Sequence, residues 1–168
     1  SHQLDSLVAM QQSDKGQIIV PTGGGKTMCM IEDAKYRFDM NSVSKTIVVV
    51  APRILLANQL SADFLEHITN ADVMHVHSGE THHFSSTKTA VIENWYHNSI
   101  NNQLIFTTYH SLHRITESLD IEIDTIYFDE AHNSVQRNFI EAVEYCSMYA
   151  QRSYFFTATP KHSRTPKK

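Results

Sequence analysis

Two short stretches carry residues able to do chemistry on a phosphate: "PTGGGKT" at 21–27 and "DEAH" at 129–132. In the first, Gly23, Gly24 and Gly25 allow backbone conformations closed to other residues and can turn successive N–H groups toward one anion. Thr22 shares that loop, Lys26 can reach terminal phosphates, and the Thr27 hydroxyl is a hard oxygen ligand for Mg2+. Against the pattern GxxxxGK[ST] there is one departure, Val20 standing where the first glycine is expected. In the second stretch, Asp129 suits a Mg2+ ligand acting through bound waters. Its neighbour Glu130 suits a base that positions and deprotonates the water attacking a γ-phosphate. Each stretch alone has an ordinary explanation, because glycine-rich turns join strands to helices without a nucleotide and acidic pairs are common at strand ends. Together they are the two halves of an ATP and Mg2+ site.

Such a site needs both stretches at one edge of a sheet, and the hydrophobic pattern supplies one. Short β-branched or aromatic runs read as strands: "QIIV" at 17–20, "TIVVVA" at 46–51, "DVMHV" at 72–76, "QLIFTT" at 103–108, "TIYFDE" at 125–130 and "SYFFTA" at 153–158. Several are apolar on consecutive residues, as strands buried on both faces are. Helical periods lie between them. Phe139, Ala142, Val143, Cys146 and Tyr149 recur at spacings of three and four within a helix from about Gln136 to Tyr149. Leu56, Leu60 and Phe64 share a row on a second, from about Ile54 to Glu66, and a third follows the glycine loop, its dipole adding to the anion site. The expected fold class is α/β, a mainly parallel β-sheet with helices on both faces, binding ligands at the carboxyl ends of its strands.

Composition sets the bounds. A length of 168 residues supports one well-cored domain, and 41% hydrophobic with 19% charged residues is ordinary for a globular chain. No apolar run approaches the ~20 residues of a membrane helix, and the first residues lack a secretory signal pattern, so an intracellular, cytoplasmic setting without a membrane partner is expected. Cys29 and Cys146 form neither a disulfide framework nor a zinc pattern. A net charge of −4 argues against wholesale attraction to nucleic acid but leaves room for a local basic groove. Eleven histidines are many, and His75, His77, His82 and His83 gather in "HVHSGETHH". Their spacing matches no finger pattern and no cysteine is near, so the stretch 77–88 reads as a loop whose histidines are exposed and hold no metal.

The segments in order resemble the first motor domain of superfamily 2 helicases and translocases. "PTGGGKT" is similar to their motif I, "VAPRILLANQL" to motif Ia, "TTYHSL" to the nucleic-acid-contacting segment after it, "DEAH" to motif II and "TATP" to motif III. The resemblance implies a RecA-like P-loop NTPase domain over residues 1–160. Residues 161–168 would begin a linker to a second RecA-like domain, and the piece by itself would be monomeric. It implies Lys26 and Thr27 as phosphate and Mg2+ ligands, Asp129 and Glu130 as Mg2+ ligand and base, and Gln3 as a reader of adenine. His132, touching Thr157 and Thr159, would couple nucleotide state to domain movement. Arg53, Thr108, Tyr109 and His110 would line a nucleic-acid path, although Arg53 can equally be a solvated surface residue. The departures from DEAD-box and DEAH-box RNA helicases place the chain nearer type I and III restriction motor subunits and related DNA repair helicases, which favours duplex DNA. An ATP-gated nucleic-acid sensor or clamp would carry the same motor motifs, and an RNA-directed helicase is the further alternative.

Overall fold

The computed structural model describes residues 10, 14–21, 25–40, 42–118, 120–131 and 138–159, with the backbone alone at 17–21 and 158–159. Six strands form one sheet: β1 (Lys15–Pro21), β2 (Thr46–Ala51), β3 (Ala71–Val76), β4 (Asn102–Thr108), β5 (Thr125–Phe128) and β6 (Arg152–Thr159). Their spatial order is β1-β6-β5-β2-β4-β3, and every pairing is parallel. All six strands expected from the sequence are present. The fifth ends at Phe128, so that Asp129 and Glu130 stand in the turn that follows it.

Parallel strands need crossovers, and five helices are described: α1 (Lys26–Asp39), α2 (Ile54–His67), α3 (Thr89–Asn98), α4 (Leu112–Thr116) and α5 (Ile140–Tyr149). The sequence pattern shows α2 and α5 and misses α3 and α4. The first of these buries only Ile92 and the second spans five residues, too little for a helical period to declare itself. The alternation of β2 explains its unbroken apolar run. Ile47, Val49 and Ala51 join one core with Cys29, Met30 and Ala34 of α1 and Leu60 and Phe64 of α2. Val48 and Val50 join the other, with Ile92 of α3, Leu112 and Ile115 of α4 and Val143 and Cys146 of α5. Each face of the sheet therefore has its own helical cover.

A buried polar network fixes α1 to the sheet. Asp33 and Arg37, one turn apart, pair at 3.3 Å. The Tyr127 hydroxyl donates to Asp33 Oδ2 at 2.6 Å, and Arg37 Nη2 donates to the Met10 carbonyl at 2.9 Å and the Tyr154 hydroxyl at 3.1 Å. Burial raises the Asp33 carboxyl above its usual range, against the opposing pull of Tyr127 and Arg37. The network ties the helix that follows the glycine loop to β5 and β6 together, which fixes where the first turn of that helix lies.

The histidine stretch departs from expectation. His82 is exposed, but His75 and His77 are buried, at 0% and 2% exposure. The Gly79 N–H donates to His77 Nδ1 at 3.2 Å, so the neutral His77 carries its proton on Nε2 and donates it to His75 Nδ1 at 3.1 Å. Backbone bonds from His75 N to the Phe84 carbonyl and from Ser86 N to the His75 carbonyl hold the following loop along the edge of β3. Among the described residues no three metal-ligating side chains converge.

Burial, with the neighbouring His77 and His83, pushes the His75 imidazole down to about 3 from an ordinary 6.5. The unfolded chain then binds more protons than the folded one between those values. His75 stabilises fully above pH 6.5, and that stability drains as pH falls toward 3, by about 1.4 kcal/mol per pH unit. Urea unfolding at a series of pH values should show this slope, and His75→Gln should reduce it by about one proton. An unchanged slope would remove His75 as its source.

Candidate active site

Gly25 opens the site. It takes the left-handed conformation, φ 86°, and its carbonyl accepts the Cys29 N–H at 3.0 Å, so α1 begins immediately after the bend. No acidic residue and no side-chain cap occupies the first turn, which leaves the positive end of the helix for an anion. Lys26, the first residue of α1, reaches back across the carboxyl edge of the sheet. Its Nζ lies 2.8 Å from Asp129 Oδ1 and 3.1 Å from Glu130 Oε2, the latter 104 residues away in sequence. The strand order makes this reach possible: only β6 separates β1 from β5, a gap of about 10 Å at ordinary strand spacing. Burial alone would lower the Lys26 ammonium, but the charges of Asp129 and Glu130 and the hydrogen bond to Glu130 outweigh it and leave its pKa raised.

Asp129 is buried, at 4% exposure, and desolvation raises its carboxyl above the ordinary range despite the lysine beside it. Its Oδ1, close to the ammonium, has no partner in hydrogen-bond geometry among the described residues, so the contact is an ion pair rather than an aligned bond. Glu130 is half-exposed and sits at φ 55°, a left-handed conformation that costs an ordinary residue roughly 1–2 kcal/mol. Main-chain bonds on either side impose it. The Asp129 N–H donates to the Val50 carbonyl of β2, and the Ala131 N–H donates to the Phe156 carbonyl of β6, each at 2.8 Å.

A family model described as type III restriction enzyme, res subunit, matches residues 2–162. The chain belongs to that family. No curated protein matches it by sequence. Among solved structures, the chain is similar to a nuclease-deletion mutant of the Type ISP restriction-modification enzyme LlaGI in complex with a DNA substrate mimic. That likeness has 22% identity and a TM-score of 0.80 over 96% of this chain and 17% of that one. The UvsW helicase from bacteriophage T4 gives 15% identity and 0.62 over 93% and 51%, and the Hef helicase domain of Pyrococcus furiosus gives 16% and 0.62 over 99% and 33%. These likenesses show a RecA-like helicase fold, and the chain spans 17%, 51% and 33% of the lengths of those proteins.

In the sheet, β6 runs between the strand that precedes the glycine loop and the strand that precedes the carboxylates. Thr157 is aligned with Ile19 of β1 and Thr159 with Pro21, while Phe155 is aligned with Phe128 of β5. The "TATP" segment is thereby brought to the same edge as Lys26, Asp129 and Glu130. Gln3, Thr22, Gly23, Gly24 and His132 lie outside the described residues.

The residues expected along a nucleic-acid path divide. Arg53 is exposed and caps the N-terminus of α2, and His110 is exposed in the turn after β4. Thr108 and Tyr109 are turned inward. Both are buried, Thr108 Oγ1 accepting the Ser111 N–H at 3.3 Å and the Tyr109 hydroxyl donating to the Asp129 carbonyl at 2.8 Å. Neither side chain faces solvent. For Tyr109 the sequence carries a signal, the period of two continued past the strand, since Ile105, Thr107 and Tyr109 fall on one face and Thr108 does not. A cleft lined by Ile121, Ile123, Tyr145, Tyr149 and Gln151 lies at the amino ends of β5 and β6, the edge opposite Lys26.

The donor chemistry fits Mg2+. Thr27 and Asp129 offer hard oxygens, and the buried Oδ1 that no aligned donor satisfies is the atom a divalent cation would answer.

Lys26→Ala removes the cation from a buried carboxylate. The domain should lose about 1–3 kcal/mol near pH 7. With its folded pKa raised further, Asp129 takes up a proton as pH falls toward 4, so the deficit should shrink there. Urea unfolding of Lys26→Ala beside Lys26→Ala/Asp129→Asn checks this, because the double variant should recover most of the loss. A single variant as stable as the parent would show that the pairing contributes nothing.

Proposed function

We propose that this chain is the ATP-binding half of a motor that couples ATP hydrolysis to movement on duplex DNA. The observation that carries the reading is the Lys26 ammonium held against Asp129 and Glu130 at the carboxyl edge of an all-parallel sheet, with the "TATP" strand between them. Membership of the type III restriction enzyme, res subunit, family and the DNA substrate mimic in complex with LlaGI support the choice of DNA.

In this mechanism the γ-phosphate of ATP takes the place of the carboxylates at Lys26, a stronger and more polarisable anion for the same cation. Thr22, Gly23, Gly24 and Gly25 cradle the phosphates with backbone N–H groups, the first turn of α1 adds its dipole, and Gln3 reads the adenine edge. Mg2+, held by Thr27 and Asp129, would neutralise charge on the phosphate oxygens. Release from Lys26 frees Glu130, whose fixed backbone aims the carboxylate at the attacking water and lets it accept the proton. Arg53 and His110 contact the DNA backbone, where the N–H groups at the start of α2 bind phosphate despite the net charge of −4. His132, Thr157 and Thr159 relay nucleotide state to a second RecA-like domain, which supplies the arginine that completes the transition state.

The full-length protein tests this with ATP turnover in the presence and absence of duplex DNA and with displacement of a triplex-forming strand. Glu130→Gln should bind ATP as the parent does yet turn over about 100-fold or more slowly, the usual contribution of a general base. Comparable turnover in that variant would remove Glu130 as the base. DNA-stimulated hydrolysis without triplex displacement would instead make the protein an ATP-gated clamp.

A further inference from the structure

We propose that Tyr109 is a positioning residue that ties the DNA-facing turn at 108–110 to the main chain of the catalytic carboxylates. The link rests on the reading of Asp129 and Glu130 as the ATP-hydrolysing pair. Tyr109 is fastened at three points. Its N–H donates to the Ala51 carbonyl at 3.2 Å, at the end of β2 and just before Arg53. Its ring lies nearly parallel to Phe128 and Phe139, with centroids 6.2 Å from each and interplanar angles of 25° and 28°. Its hydroxyl donates to the Asp129 carbonyl at 2.8 Å. The adjacent residue, His110, is exposed and meets the edge of the same Phe139 at 6.3 Å. One side of this turn therefore faces solvent where DNA would lie, and the other ends on the peptide that joins Asp129 to Glu130.

That peptide is where a small force matters. The carbonyl Tyr109 holds belongs to the bond leading into Glu130, whose positive φ is set by its surroundings and not by its own preference. Val50 and Phe156 fix the two flanking N–H groups from β2 and β6, and Tyr109 fixes the carbonyl between them from the DNA-facing side. A shift of the turn when His110 or Arg53 takes up a phosphate moves the tyrosine and thereby turns the peptide that aims Glu130. Burial and the two nearby carboxylates keep the phenol protonated, so it remains a donor throughout. The bond uses a hydroxyl that the apolar packing of the ring does not need, which separates its role from that of the core.

Tyr109→Phe keeps the ring and removes the hydroxyl. In the full-length protein at saturating duplex DNA, kcat for ATP should fall about tenfold, while KM for ATP and Kd for DNA each stay within about twofold and the unfolding midpoint is little changed. An unchanged kcat would overturn the proposal. A weakened Kd for DNA with kcat preserved would do so too, by making Tyr109 a DNA contact. Amide hydrogen exchange provides an arm independent of turnover. The Ala131 N–H should exchange faster in Tyr109→Phe while the amides of β2 and β4 do not, and equal exchange in parent and variant would also overturn the link. Absence of DNA-stimulated ATPase in the parent, with the exchange difference present, would sink the motor reading and leave the positioning role standing.

Discussion

A single cation, the Lys26 ammonium, joins the two ends of the molecule's chemistry. It belongs to the first turn of α1 and is held by carboxylates that follow β5. Three constraints have to be met together for that contact to exist. Gly25 must bend left-handed so that α1 starts at the sheet edge, β6 alone must separate β1 from β5, and the turn after β5 must present Asp129 inward and Glu130 outward. The strand order and the main-chain bonds from Val50 and Phe156 meet the last two. The carboxylates serve as the counter-charge of Lys26, so the groups proposed to work on ATP also hold the start of α1 at the sheet edge.

The buried polar groups elsewhere serve that arrangement. Asp33 and Arg37 bind the underside of α1 to Tyr127 of β5 and Tyr154 of β6, the strands that set the distance Lys26 must span. Such a network contributes little net stability, since desolvation offsets most of its attraction. Its consequence is registry: α1 cannot slide along the sheet without leaving an aspartate or an arginine unpaired. His75 and His77 act similarly at the far edge, where a chain of two neutral imidazoles pins the loop after β3.

Much of this was legible in the sequence. "TIVVVA" and "QLIFTT" announce strands buried on both faces because unbroken β-branched and aromatic runs have few other uses, and the order of "GGGKT", "DEAH" and "TATP" places three segments at one sheet edge. The Lys26, Asp129 and Glu130 constellation follows from that order. What stayed hidden depends on direction and not on residue type. Thr108, Tyr109 and His110 are consecutive polar or amphipathic residues; a period of two accounts for Tyr109 alone, and the backbone turn after β4 decides that Thr108 is buried and His110 exposed. The positive φ of Glu130 is imposed by bonds from β2 and β6, which sequence spacing does not register. Burial of His75 and His77 is equally a tertiary effect, since "HVHSGETHH" carries the composition of an exposed loop.

The central claim is that Lys26 and its two carboxylates form the core of the proposed Mg·ATP site. Thermal unfolding of the full-length protein with ATP alone, Mg2+ alone and both together tests it most directly, because a ligand that binds only the folded state raises its stability by mass action. The account predicts that ATP and Mg2+ together raise the midpoint by more than the sum of their separate shifts. A midpoint that neither ATP nor the pair can move would contradict it.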